Sequence, residues 1–325
     1  MIDLSTTYGG VNLKSPLIVS SSGLTSSVER IKKMEKAGAG AVVLKSLFEE
    51  QIMFEVSSIS AGSDYPEAGD YLNAYARENS LENYLTMIRD AKAAVSIPVI
   101  ASINCVKRDE WVEFAKKIEQ AGADALELNI YFLPIEKDKD PREYEQAYLD
   151  LVSAVKEKTS LPVMVKLGHG FSNITWMVQQ LYLRGAASVI LFNRLYAPDI
   201  DTSDLSFGSA EVLSSPADLR FPLRWIGIVS SQVSEIDLAA STGVHSGLAV
   251  VKQILAGATA VQICSVLYQN GIDYIRDMID EMKGWMEKNN YSSPSDFRAK
   301  MNYSNLKDPS VYERAQFIKY FSNMH

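Results

Sequence analysis

Two cysteines, three histidines and no long hydrophobic run are the first features of this sequence. Cys105 and Cys264 are too few for a disulfide scaffold, a four-cysteine zinc site or a cysteine-bound iron–sulfur cluster. His169, His245 and His325 leave little for a histidine metal centre, so no metal is expected. No stretch approaches the roughly 18 apolar residues that span a bilayer. The opening residues lack the basic start and apolar stretch of a signal peptide, which makes a cytoplasmic location the expectation. Positive charge is also in deficit: 32 Lys and Arg stand against 40 Asp and Glu, a net charge of −8. A nucleic-acid partner, which requires a basic face, is therefore not expected. What remains is an ordinary globular composition, 47% hydrophobic and 22% charged over 325 residues, enough chain for two domains or one large barrel.

Periodicity decides between those two. Residues 4–14 look like a hairpin turned at Gly9 and Gly10. Short apolar runs follow at 16–20, 41–45, 97–103, 124–129, 162–167, 187–192 and 259–264. Helical spacing falls between them at 26–37, 80–94, 109–121, 141–158, 172–184 and 247–256, several of these segments ending at a glycine. Residues 225–229 suit either a strand or part of a helix over 219–232; the helix is preferred, because 235–240 then supplies the seventh strand. Each run is continuously apolar, as in strands buried on both faces. Eight strands alternating with helices predict an α/β fold, a (β/α)₈ TIM barrel over about 15–290 within a single domain 1–325. An open doubly wound sheet is the rival, but residues 21–24 are not its glycine-rich dinucleotide loop. Residues 47–79 and 194–218 are expected to be irregular insertions, of the kind that forms functional loops. The tail, 291–325, is expected to be a helical extension following a helix near 271–289. A helix over 309–321 would pack Val311, Ala315, Phe317, Ile318 and Phe321 on the barrel or on a partner subunit.

Barrel active sites lie at the C-terminal ends of the strands. Here those ends carry Ser20, Ser21, Ser22 and Gly23; Lys45 and Ser46; Asn104; Asn129; Lys166; Asn193; Thr242 and Gly243; Cys264 and Ser265. A lone Asn or Ser at such a place is ordinarily a turn former or helix cap. A lysine ending an apolar strand is different, because a buried ammonium needs an anionic or polar partner. Two of them point to an electron-rich or anionic ligand over the barrel mouth. The loops after the seventh and eighth strands, 241–247 and 264–265, match the places where barrels bind phosphate. Gly243 would permit close backbone approach, and the helix opening at Gly247 would favour an anion; a plain turn and cap is the alternative.

Taken in chain order, these residues resemble the dihydroorotate dehydrogenase family of FMN-containing (β/α)₈ barrels, over residues 2–290. The hairpin, the Ser20–22/Gly23 loop, the Lys45-Ser46 pair, the 126–129 strand ending in Asn129, the 165–167 strand bearing Lys166, the Phe192-Asn193 pair and the two phosphate loops all have counterparts there. The resemblance implies FMN as cofactor and oxidation of a dihydropyrimidine with hydride transfer to the flavin. Lys166 would then stabilise the reduced, anionic flavin at its N1–C2 carbonyl edge, and Lys45 would lie between flavin and substrate. Asn104, Asn129 and Asn193 would hydrogen-bond the flavin's pyrimidine edge or the substrate above it. Amides of Thr242, Gly243, Cys264 and Ser265 would hold the phosphate, and Ser21, Ser22, Gly23, Ser46 and Ser215 complete the implied cofactor set. Lys45, Asn129 and Lys166 make up the implied catalytic group.

The departures fall on the substrate side. Family members carry a Cys or Ser base on the loop after the fourth strand, in Asn-x-Ser-Cys-Pro-Asn or a near variant. Here the loop reads Asn129-Ile-Tyr-Phe-Leu-Pro134, so Phe132, or Leu133 with a one-residue shift, takes the place of the base. Loss of a positioned base costs about 10²–10⁴-fold. The family lid motif aligns with 61–67, where Ala61 and Glu67 replace two asparagines that bind orotate, and Arg194 replaces the small residue after Asn193. Arg194 could pair with Glu67 or bind a different anion. Tyr131, His169 and Cys105 are candidate replacement bases. A phenol gives up its proton only near pH 10 or so, however, and a buried cysteine is ordinarily inert. His245 is expected to cap or touch phosphate, and Tyr65, Tyr71 and Tyr75 to pack within the lid. Three functions remain open: an FMN oxidoreductase, a catalytically inactive FMN-binding protein of regulatory or electron-transfer role, and a phosphosugar-binding barrel without flavin. The implied partner is a small molecule of pyrimidine type. The N-terminal helix of the membrane-bound relatives is not seen, so no membrane is expected, and exposed tyrosines and methionines could serve a homodimer.

Overall fold

The computed structural model describes residues 2–48, 66–105, 108–194, 198–209 and 211–313; the side chains of 66–77, 108 and 209 lie outside that description. A hairpin of β1 (Thr6–Tyr8) and β2 (Val11–Leu13) turns at Gly9 and Gly10, whose φ values of 55° and 81° are those a two-residue turn requires. Eight parallel strands then form a closed barrel: β3 (Leu17–Val19), β4 (Ala41–Val43), β6 (Val99–Asn104), β7 (Ala125–Asn129), β8 (Val163–Leu167), β9 (Ser188–Leu191), β12 (Asp237–Ala240) and β13 (Ala260–Ile263). Closure runs through Val261 opposite Leu17 on one side and Val42 opposite Val99 on the other. A two-residue strand, β5 (Leu47–Phe48), extends the pairing of β6.

Helices α1 (Val28–Ala37), α2 (Pro66–Ala94), α3 (Arg108–Gln120), α4 (Pro141–Lys156), α5 (Ile174–Leu183), α6 (Arg220–Gln232) and α7 (Gly247–Ala256) fill the connections. Local chemistry starts several of them. The Asp140 carboxylate accepts from the Arg142 amide with Pro141 next to it, the Asn173 amide oxygen accepts from Trp176, and the Ser246 hydroxyl accepts from Ala249. After β13 come α8 (Ser265–Asn270) and α9 (Tyr274–Lys288).

Two cores result. The larger lies between strands and helices, with Trp111, Phe114, Ile31 and Met34 almost wholly buried. The smaller fills the barrel with modest side chains (Ala41, Val43, Ala125, Ala239, Ala260, with Ile18, Ile100, Met164 and Ile190), and the hairpin contributes Tyr8, Val11 and Leu13. The hairpin thus plugs the N-terminal end of the barrel. It is pinned by Asp237, which accepts from the Gly9 amide at 2.9 Å and from the Thr259 hydroxyl at 2.8 Å and lies 3.6 Å from Arg298.

The predicted barrel, its N-terminal hairpin and the helical reading of 225–229 agree with these elements. Three expectations change in detail. The insertion expected over 47–79 contains the early part of α2, which starts at Pro66 rather than 80; that part carries Gly69, Asp70, Asn73 and Asn79, residues of low helix propensity that hide the helix in the sequence. The insertion over 194–218 carries an antiparallel hairpin, β10 (Pro198–Asp201) with β11 (Ser206–Ser209). The tail holds only 3₁₀ turns among its described residues, at Pro294–Asp296 and Pro309–Tyr312. It lies on α6: the Tyr303 amide donates to the Gly227 carbonyl, and a Cβ at Gly227 would come within 2.4 Å of the Tyr312 ring. The expected helix beyond 313 falls outside the described residues. Among the described residues, no helix is long and apolar enough to cross a membrane.

Asp237→Ala removes the hydrogen bonds that seat the hairpin. It should lower the free energy of unfolding by about 1–3 kcal/mol, the cost of leaving such donors unmet. Urea denaturation followed by tryptophan fluorescence checks this, and an unchanged midpoint would contradict the role given to Asp237.

Candidate functional site

The C-terminal end of the barrel opens into a cleft of about 640 Å³. That size falls within the roughly 300–1,000 Å³ of ligand and cofactor pockets. Strand alternation creates the cleft. Residues one step above the apolar barrel core on the same strand face are polar: Ser20 follows Ile18, Ser102 follows Ile100, Glu127 follows Ala125, Lys166 follows Met164 and Gln262 follows Ala260.

These groups form one buried network. Lys166 Nζ donates to Ser20 Oγ at 3.0 Å and to Gln262 Oε1 at 2.8 Å, and lies 3.8 Å from Glu127 Oε1. Gln262 Nε2 donates to Glu127 Oε2 at 2.6 Å, and Ser20 Oγ donates to Gln262 Oε1 at 3.1 Å. Lys166 and Glu127 are 6% and 1% exposed, so each charge depends on the other. The Glu127 charge also helps burial raise the Tyr84 and Tyr8 phenols well above their ordinary range. An ammonium has three donors, and two of those of Lys166 are accounted for by Ser20 and Gln262.

A second polar set lies beside it. Ser21 Oγ accepts from the Ser46 amide at 2.8 Å, and Ser46 Oγ pairs with Ser102 Oγ at 2.7 Å. Asn193 Nδ2 donates to Asn129 Oδ1 at 2.9 Å, tying the ends of β7 and β9 together. At the far side of the cleft Thr242 and Gly243 have φ of 81° and 77°. A Cβ on Gly243 would lie 2.1 Å from the Leu219 nitrogen, so only glycine fits. Ser214 Oγ accepts from the Gly243 amide at 3.3 Å and pairs with His245 Nε2 at 3.1 Å, while the Ser214 amide donates to Ser265 Oγ at 2.9 Å. Burial pushes the Cys264 thiol up, against a lowering hydrogen bond from Ser22 and the nearby Lys166 charge, so it stands protonated at neutral pH.

Ser21, Ser22, Gly23, Lys45, Ser46, Asn104, Asn129, Lys166, Asn193, Thr242, Gly243, Cys264 and Ser265 all line this one cleft. Ser215 does not: its amide and hydroxyl turn to the Asp218 carboxylate, at 2.7 and 3.2 Å, and its neighbour Ser214 faces the cleft instead. Sequence reading undervalued Glu127 and Gln262. The available signal was a polar residue in the middle of an apolar run, two positions from a strand end.

On the loop after β7, Tyr131 lines the cleft. Phe132 packs its ring edge-on to Tyr148, centroids 5.0 Å apart, its amide donates to the Tyr148 hydroxyl, and Leu133 is 56% exposed. Burial pushes that Tyr148 phenol up to about 12. Of the other base candidates, Cys105 is buried outside the cleft lining, His169 lines a separate cavity, and His245 is engaged by Ser214. Ala61 and Tyr65 lie outside the described residues, as do the side chains of Glu67, Tyr71 and Tyr75.

The chain matches the family described as dihydroorotate dehydrogenase over residues 3–286. It is 30% identical over 306 residues to dihydroorotate dehydrogenase B (NAD(+)), catalytic subunit, of Thermoplasma volcanium, covering 90% of this chain and 96% of that protein. The proteins of the same name from Thermoplasma acidophilum and Pyrococcus furiosus are 29% and 28% identical, covering 91% and 87% of this chain and 98% and 94% of theirs.

Lys166→Met should cost about 3–5 kcal/mol of stability, because it leaves Glu127 charged and buried without its partner. Adding Glu127→Gln should recover a large part of that loss. Chemical denaturation of the two variants is the check, and a double variant no more stable than Lys166→Met would contradict the pairing.

Proposed function

The chain belongs to the dihydroorotate dehydrogenase family, and from that membership we propose that it is an FMN-binding oxidoreductase acting on a CH–CH bond of a small ring substrate. The observation that carries this reading is Lys166. Its ammonium is buried, held from one side by Ser20 and Gln262, and borders the cleft.

The residues present suit FMN at both of its ends. Thr242 and Gly243, with Ser214 and Ser265 beside them, form an end of the cleft lined by small hydroxyl-bearing residues and backbone, of the kind that suits a phosphate terminus. Lys45, Lys166, Asn104, Asn129 and Asn193 offer the donors and acceptors of a heteroaromatic edge. When bound, FMN supplies the acceptor for a hydride. Lys166 holds a fixed positive charge where negative charge would develop, preorganised by Ser20, Gln262 and Glu127 and needing no rearrangement. The Asn129–Asn193 hydrogen bond fixes both amides for orienting a ring. Among the candidate replacement bases, Tyr131 is the one that lines the cleft.

A second reading is favoured by the loop after β7: a protein that binds FMN without turning over dihydroorotate. Phe132 and Leu133 supply no proton acceptor, and Phe132 is held back against Tyr148. Anaerobic visible spectra separate the two readings. The expected result is a yellow protein bleached by dithionite. Bleaching by dihydroorotate as well would establish dehydrogenation, and loss of that bleaching in Tyr131→Phe, by about 10²-fold or more, would identify the phenol as the proton acceptor. A yellow protein inert to dihydroorotate would support the second reading or a different substrate. A colourless protein that takes up no added FMN would overturn both.

A further inference from the structure

A second cavity, of about 450 Å³, adjoins the cleft and shares Asn193, Arg194 and Thr242 with it. Its wall is aromatic: Phe221 packs on Phe192 at 5.1 Å between centroids and edge-on to His169 at 5.5 Å. Its rim carries two arginines, Arg194 and Arg220. This is a concentration of positive charge on a chain whose net charge is −8.

Neither arginine is explained by the fold. Arg194 is anchored by one hydrogen bond, from Nη1 to the Val212 carbonyl at 2.6 Å, which fixes the guanidinium at the boundary between the two cavities. Arg220 is the first residue of α6, whose first turn contains no acidic side chain. Among the described residues Arg220 has no hydrogen-bond or ion-pair partner. The carboxylate lining the cavity, Asp218, is engaged by the amide and hydroxyl of Ser215. Two guanidiniums therefore line one concavity, and the carboxylate that lines it with them is already engaged by Ser215.

We propose that this cavity binds the anionic end of the substrate whose ring lies in the main cleft, so that the substrate is a ring compound bearing a carboxylate or phosphate on an arm. This rests on the oxidoreductase reading and names the class of molecule it acts on. Arg194 guides the arm across the boundary, Arg220 binds its terminal oxygens, and Phe221 and Phe192 pack on its carbon chain. An unextended dihydropyrimidine would leave the cavity unused.

The test uses FMN-loaded protein and three uracils with the same three-carbon arm at ring carbon 6, ending in a carboxylate, a phosphate or an alcohol. Visible difference spectra report contact with the flavin, and titration calorimetry reports binding whether or not flavin is present. A charged end should bind about tenfold to a hundredfold tighter than the alcohol, the scale of a charge-assisted hydrogen bond. Whichever charged end gains most identifies the anion. Arg220→Gln should abolish the gain and Arg220→Lys retain part of it, with circular dichroism showing both variants folded. Equal binding of all three probes, or a gain that survives in Arg220→Gln, would overturn the proposal. An Arg220-dependent gain in protein that takes up no FMN would support the anion site while sinking the flavin reading.

Discussion

The buried pair of Lys166 and Glu127 is the constraint on which the site depends. Neither charge is tolerable alone inside a barrel, and at 3.8 Å the two still do not share a hydrogen bond. Gln262 completes the arrangement by accepting from the lysine and donating to the carboxylate. The amide's orientation is thereby determined, and Ser20 then accepts from the lysine and donates to the same amide oxygen. Three side chains, from β7, β13 and the end of β3, hold the one ammonium that β8 carries to the cleft. The cost of burying the charge is offset by a network that specifies its position.

Below that layer the barrel is filled with apolar side chains, closed at the far end by the N-terminal hairpin. The contrast is useful. An apolar floor gives Lys166 no alternative partner, and a closed end leaves the strand C-termini as the open face of the barrel. The polar layer is thus a consequence of strand alternation carried one residue beyond a packed core.

The strand ends and the loop after β7 border the cleft but are held in place by different means. Residues bordering the cleft from strand ends are held by barrel geometry. Residues of that loop are held by local packing, here Phe132 on Tyr148. A change in the loop leaves the strand-end set undisturbed. The neighbouring concavity with Arg194 and Arg220 meets the cleft at Asn193, Arg194 and Thr242.

The sequence by itself determined the barrel, because continuous apolar runs punctuated by glycines and alternating with helical spacing have few other solutions. It also determined which strand ends carry polar residues, since order along the chain dictates position around the barrel. Helix α2 was only half legible: its first part carries Gly69, Asp70, Asn73 and Asn79, whose low helix propensity argues locally for a loop. Tertiary structure alone decided the partnerships. Glu127 and Gln262 are 135 residues apart in the chain, and nothing local marks them as neighbours. Serine 214 rather than Ser215 faces the cleft because the Asp218 turn takes the latter's hydroxyl. Arg194 and Arg220 meet at one cavity only because β9 and α6 are brought together by the closed barrel. Side-chain contacts across strands depend on closure and register, and neither is a local property of the chain.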